Sequence, residues 1–93
     1  MRKASEKEIT KAVRALRGHM RDRYKKGAWM VGLYYGIRIS EDGHVSPWWG
    51  TSEEKYNEKG VVAIFRPLSG KEVAAFLRKP LSEIVEAVTK QIM

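Results

Sequence analysis

The chain contains no cysteine, only three prolines, and no apolar run near the roughly 20 residues that a transmembrane helix needs. Without cysteine, neither a disulfide framework nor a thiolate metal site can form. The first residues, Met1 to Glu6, are not followed by the apolar stretch of a signal peptide. These features favour a soluble cytoplasmic protein, and we expect no membrane partner.

Motifs for catalysis and metal binding are also lacking. The glycines near residue 30 open no helix, so they form neither a phosphate loop nor a dinucleotide fingerprint. His44 with Glu41 and Asp42 matches no known metal-ligand spacing. His19 and His44 have the chemistry of a metal-independent ribonuclease, but nothing in the sequence brings them together. We expect no metal, no cofactor and no catalytic residue, and we keep the ribonuclease as a lesser alternative to a non-enzyme.

The length and composition are those of one small folded domain. The chain has 93 residues, of which 43% are hydrophobic and 31% charged. These fractions are typical of a globular protein. We therefore predict one domain over residues 1–93, with residues 1–4 as a basic N-terminal arm.

The net charge of +7 is concentrated at one end of the chain. Residues 1–26 contain ten Lys or Arg and three Asp or Glu, whereas residues 27–93 contain eight of each kind. A concentrated basic element indicates a polyanionic partner. The candidates are nucleic acid and an acidic protein.

The first 26 residues predict an amphipathic helix from Ser5 to about Lys26. Ser5 and Glu8 fit a capping box, and Gly27 is a natural stop. Apolar residues recur at helical spacing on one side, namely Ile9, Val13, Leu16 and Met20. The opposite side carries the residues that we call the basic face: Lys7, Lys11, Arg14, Arg17, Arg21 and Lys25. Gly18 lies among them, either as a tolerated surface glycine or as a gap that admits a partner.

Three strands are predicted after this helix. The first runs over residues 28–40, with alternate residues from Trp29 to Ile39 on the core face. A turn ending at Gly43 leads into a return strand over 44–49, in which Pro47 indicates a sheet edge. The third strand, 61–66, is apolar on both faces, which predicts a central or well-covered position.

Two helices complete the chain. The first is predicted from Ser69 to about Leu77, with a second capping box, and the last opens at Pro80. The fold class is therefore α+β, in the order α-β-β-β-α-α. We predict a three-stranded antiparallel meander with the helices packed on one face. The order of elements resembles that of double-stranded-RNA-binding domains. However, those domains carry a cluster of lysines at the start of their last helix, and the position that corresponds to it here, residues 69–73, has the single Lys71, so the resemblance implies no residue role.

The function predicted from these features is non-catalytic binding of DNA or RNA. The basic face would contact the phosphate backbone, and Tyr34 and Arg38 on the second face of the first strand would extend this surface. Aromatic side chains, including Trp48 and Trp49, could stack on unpaired bases, although core packing is the commoner role. The alternative is an interaction or inhibitor module that docks the basic helix and the open sheet face on an acidic protein. An open sheet face with Met30 and Tyr34 is also compatible with a homodimer.

Overall fold

A computed structural model describes residues 4–26, 31–51 and 60–92, apart from the side chains of 62–64 and 92. Six elements follow along the described chain: α1 (Glu6–Lys25), β1 (Tyr34–Ile39), β2 (Val45–Gly50), β3 (Val61–Phe65), α2 (Gly70–Arg78) and α3 (Leu81–Ile92). The predicted α+β class is confirmed.

Helix α1 begins with the predicted capping box. The Ser5 hydroxyl accepts a hydrogen bond from the Glu8 amide at 3.1 Å, and the Glu8 carboxylate accepts one from the Ser5 amide at 3.4 Å. The predicted apolar side is buried, since Ile9, Val13, Leu16 and Met20 are each at most 5% exposed. The predicted stop, Gly27, lies outside the described residues. Capping and burial together fix which side of α1 faces solvent.

The order of the strands differs from the prediction. The sheet is antiparallel with the order β2-β1-β3, so β1 is central and the predicted meander is wrong. For β3 we predicted a central or well-covered position; the central position is wrong, because β3 pairs with β1 at one edge, although the last helix lies over it. Pro47 lies in the other edge strand, as predicted, where its missing N–H leaves no gap in the ladder.

Strand β1 is shorter than predicted, but its two faces are assigned correctly. Tyr35 and Ile37 are fully buried toward the helices. Val31 and Leu33 precede the strand and still pack against the core. Gly32, with a φ of 86°, separates them in a turn. The rest of the predicted strand, residues 28–30, lies outside the described residues.

The turn between β1 and β2 is the predicted one. Gly43 has a φ of 86°, which favours glycine, and its amide donates to the Ser40 carbonyl at 2.9 Å. The Asp42 carboxylate accepts hydrogen bonds from the Ser40 hydroxyl and the His44 amide. These bonds, the one from Ser40 first, hold the pKa of Asp42 below its usual value. Asp42 therefore has a structural role in the turn.

The two C-terminal helices begin close to the predicted residues. The Ser69 hydroxyl caps α2 by accepting from the Glu72 amide at 3.2 Å. The Glu72 carboxylate accepts from the Leu68 amide at 2.7 Å, one residue earlier than a capping box requires. Pro80 directly precedes α3, and its carbonyl accepts from the amides of the first turn.

One core joins the helices to the sheet. Val73 of α2 and Ile84, Val85 and Val88 of α3 are buried with the apolar side of α1 and with Tyr35. Helix α1 lies over β1 and β2, whereas α3 lies over β3 and also contacts α1. The three described helices therefore pack on one side of the sheet, and none of the described residues forms a helix on its other face.

Candidate functional site

The basic face lies on the outer side of α1. Lys7, Lys11, Arg14 and Lys25 are exposed. From Lys7 to Lys25 the face extends for about 27 Å at the helical rise of 1.5 Å per residue. Asp22, the acidic residue beside this face, forms an ion pair with Lys26 at 3.2 Å. The exposed cations therefore present a long positive surface to solvent.

Two members of the basic face have a structural role that the sequence did not reveal. Arg17 Nη1 donates to the carbonyl oxygen of Lys79 at 3.0 Å, and Arg21 Nη2 donates to that of Leu77 at 3.1 Å. These carbonyls lie at the C-terminal end of α2, where helix carbonyls lack helical partners and the helix dipole is negative. A guanidinium has five N–H donors, so both side chains retain donors for a second contact.

Gly18 forms a gap in the middle of the basic face. A Cβ atom built at this position meets no atom within 4 Å, and the residue is exposed. No close packing within the described structure therefore requires glycine here.

An aromatic stack borders the basic face. The His19 imidazole lies 3.8 Å from the ring of Trp49, centroid to centroid, with an interplanar angle of 16°. Trp49 is opposite Tyr35 on the helix side of the sheet, yet it is 42% exposed. Trp48, the preceding residue of β2, lies on the opposite face of the sheet, as alternation along a strand requires.

The environment of His19 favours the neutral imidazole. Burial, and then the positive charge of Arg23, hold the pKa of His19 below its usual 6.5. Its Nε2 atom and Arg23 Nε are both buried without a hydrogen-bond partner in the structure. Protonation of His19 would therefore place a second positive charge near Arg23 in a poorly solvated position.

We expect the protein to lose stability as the pH falls from about 7 to 5. The unfolded chain binds a proton at His19 near pH 6.5, and the folded chain binds it only at a lower pH. The free energy of unfolding should therefore decrease through this window, in which most carboxylates are still ionised. Urea denaturation at several pH values measures the slope.

Two variants assign this slope to His19. His19→Phe keeps a ring against Trp49 and should flatten the slope, whereas His44→Gln, at an exposed position in the turn, should keep it. An unchanged slope in His19→Phe would contradict the assignment.

The structure does not bring the two histidines together. His19 stacks on Trp49 near the end of β2, whereas His44 directly precedes that strand. Trp49 and His44 are five residues apart, or about 16 Å at the rise of a strand. An acid–base pair acting on one phosphodiester needs both groups within hydrogen-bond reach of it.

Tyr34 and Arg38 lie on a different surface from the basic face. In the register of β1 and β2, Tyr34 is opposite Gly50 and Arg38 is opposite Ser46, on the sheet face away from the helices. The basic face is on the outer side of α1, beyond the core. The single surface predicted from the sequence is therefore two surfaces on opposite sides of the molecule.

The sheet face away from the helices carries two aromatic groups: Tyr34, which was predicted to belong to the site, and Trp48, which the sequence did not distinguish from Trp49. Trp48 is opposite Gly36, and its ring lies so close to Gly50 that a Cβ there would be 2.6 Å from Cη2. The Arg66 guanidinium lies over the Tyr34 ring, with Cζ 4.8 Å from the centroid. Gly36 and Gly50 were the features of the sequence that could have indicated this arrangement, because a glycine in a strand often marks a place where another group lies close to the backbone.

Comparisons with family models, curated proteins and solved structures find no match. Within the described ranges, no cluster of three or more His, Asp or Glu side chains could hold a metal ion. None of the described helices is long and apolar enough to cross a membrane. Functional inference therefore depends on the two surfaces themselves.

Proposed function

We propose that this protein binds nucleic acid without catalysis and that the basic face of α1 contacts the phosphate backbone. The observation that carries the proposal is the exposure of Lys7, Lys11, Arg14 and Lys25 along one side of a single helix. A cytoplasmic location forms part of the proposal.

The charge pattern distinguishes this face from an ordinary solvated helix surface. Ordinary surface helices mix charges of both signs, often as pairs four residues apart. Here the neighbouring acid, Asp22, is paired with Lys26, at the end of the helix. Closely spaced cations release counterions when they bind phosphates, which is the main source of sequence-independent affinity.

The side chains on this face favour low sequence specificity. Lys and Arg contact phosphates in any sequence, although Arg can also read guanine in the major groove. The basic face has no Asn or Gln, the residues that pair with adenine. We expect a ligand defined by its charge and form more than by its sequence.

Charge reversal on the basic face should weaken nucleic-acid binding strongly and leave the fold intact. The variant is Lys11→Glu with Arg14→Glu, because both positions are exposed and neither belongs to the Arg17–Arg21 contact with α2. We expect affinity for short oligonucleotides to fall at least about tenfold. In the wild type, log affinity should fall linearly with log salt. Fluorescence titration at several salt concentrations measures both effects.

A control with the same change in charge tests whether position matters. Lys71→Glu with Lys90→Glu alters exposed residues of α2 and α3 by an equal amount. This control should bind nearly as the wild type does. If both variants lost the same affinity for oligonucleotides, the protein would bind nucleic acid through its net charge alone and not through the basic face. If the wild type binds neither DNA nor RNA at low salt, the proposal is wrong, and docking on an acidic protein becomes the function to test.

A further inference from the structure

The sheet face away from the helices offers flat rings and positive charge together. We propose that this face is a second contact for nucleic acid, that it stacks unpaired bases on Trp48, and that the ligand is therefore single-stranded. This inference rests on the function proposed above and specifies the form of nucleic acid that the protein binds.

The first argument is the position of the Trp48 ring. A Cβ at Gly50 would be 2.6 Å from Cη2 and 2.7 Å from Cζ2 of this ring, so the ring lies over the Gly50 backbone. Gly36 is opposite Trp48 on β1 and adds no side chain to this surface. Trp48 is partly exposed. A ring supported by backbone on one side and partly open to solvent can stack on a base of any kind.

The second argument is the charge beside this ring. Arg66 lies over Tyr34 at 4.8 Å and donates to the Gly32 carbonyl at 3.1 Å, so its guanidinium is held in place. Arg38 is on the same face, two residues beyond Gly36. None of the open-face positions of β1 and β2 is acidic. A positive aromatic surface complements both the bases and the phosphates of a single strand.

The third argument is the continuity of the two surfaces around β2. Trp48 and Trp49 are consecutive residues in an edge strand and lie on opposite faces of the sheet. Trp49 is partly exposed and stacks on His19, the residue that follows Gly18 of the basic face. A nucleic-acid strand can therefore pass from α1, across Trp49 at the sheet edge, to Trp48.

This route excludes a duplex that contacts both surfaces. They lie on opposite sides of a molecule whose Cα trace measures 19 Å along its shortest axis. Duplex DNA has a persistence length of about 150 base pairs and cannot turn around such an edge. A single strand can bend around it and also has unpaired bases to stack.

The test compares a base-bearing strand with an abasic strand that differs from it only in the bases, and with a duplex whose bases are paired. The probes are a 12-nucleotide oligothymidylate, an abasic strand with the same number of phosphates, and a 12-base-pair duplex; this length is within the roughly 4–16 nucleotides that small single-strand-binding domains cover. The wild type should bind the base-bearing strand about five- to a hundredfold more tightly than the abasic strand, as expected for stacking of one base or more. The duplex has no unpaired bases to stack and should bind less tightly than the base-bearing strand.

Variants then locate the stacking. Trp48→Leu keeps an apolar cover over Gly50 but has no ring, so affinity for the base-bearing strand should fall to that for the abasic strand. Trp48→Phe is the matched control, because it keeps a ring at the same position and should retain much of the preference. Circular dichroism melting checks the fold. If Trp48→Leu does not fold, Trp48→Met repeats the test with another apolar side chain that has no ring.

The outcomes separate this inference from the proposed function. Suppose that the wild type binds the base-bearing and abasic strands equally, and that Lys11→Glu with Arg14→Glu removes this binding. That result would support the proposed function and overturn the stacking site. The stacking site would also be overturned if Trp48→Leu still bound the base-bearing strand more tightly than the abasic strand by the same factor as the wild type. Failure to bind any probe at low salt would overturn the proposed function and, with it, this inference.

Discussion

Replacing Arg17 and Arg21 together by alanine should lower the free energy of unfolding by about 2–3 kcal/mol. Both guanidinium groups donate to carbonyl oxygens at the C-terminal end of α2, at 3.0 and 3.1 Å. Each contact is a charge-assisted hydrogen bond and also places positive charge at the negative end of a helix dipole. Because the contacts are exposed to solvent, we assign each one about 1–1.5 kcal/mol, which is at or just below the lower limit for hydrogen bonds to charged groups.

The measurement is thermal and urea denaturation of the double variant beside a matched pair. For a domain of this size, such a loss lowers the melting temperature by about 10–20 °C. Lys11→Ala with Arg14→Ala removes the same charge from the same helix at exposed positions and should change stability by less than about 1 kcal/mol. Equal losses in the two variants would mean that the contacts with α2 contribute nothing beyond net charge.

Two arginines of the basic face contact α2, whereas its other members do not, and this difference decides which variants suit a binding experiment. A variant with Arg17 or Arg21 replaced would lose the hydrogen bond that holds α2 against α1 and would also lose phosphate contacts. A fall in affinity could therefore come from either loss. Lys11 and Arg14 separate the two effects, since both are exposed and lie outside the contact with α2.

Much of α1 could be predicted because its signals are local. A capping box and a 3.6-residue apolar period need only neighbouring residues, and both Ser5 and the buried side of the helix agree with the structure. The faces of β1 followed in the same way from strand alternation, which placed Tyr35 and Ile37 in the core.

The order of the strands could not be predicted by the same reasoning. Alternation indicates which face is buried and does not indicate which strand is the neighbour. Strand β3 pairs with β1 on the side opposite β2, and no local pattern in the sequence indicates that side. The two apolar faces of β3 were read as a sign of a central position, which β1 occupies instead.

The candidate site was predicted in composition but not in arrangement. Helical spacing placed Arg17 and Arg21 on one face with the lysines, but their contacts depend on where α2 ends in space. Tyr34 and Arg38 were correctly assigned to the second sheet face. Their separation from α1 follows from the packing of all three helices on one side, and that packing is a tertiary property.

Gly18→Glu should weaken nucleic-acid binding at least about tenfold and raise the stability of the fold by about 0.5–1 kcal/mol. The new side chain has room, because a Cβ at this position meets nothing within 4 Å. Glutamate is a much better helix former than glycine, and here it lies four residues from Arg14 and three from Arg21. The same carboxylate places negative charge in the middle of the basic face, where a phosphate would bind.

Gly18→Ala separates the two effects of that substitution. Alanine should raise stability by about 1 kcal/mol, or about 4–8 °C in melting temperature, and leave affinity unchanged. Opposite changes in stability and affinity for Gly18→Glu cannot arise from damage to the fold, so this pair is a direct test of the basic face. Wild-type affinity in Gly18→Glu would show that the ligand does not approach this part of α1. Weaker binding in Gly18→Ala would instead show that the gap itself admits the ligand, with the backbone of α1 within contact distance.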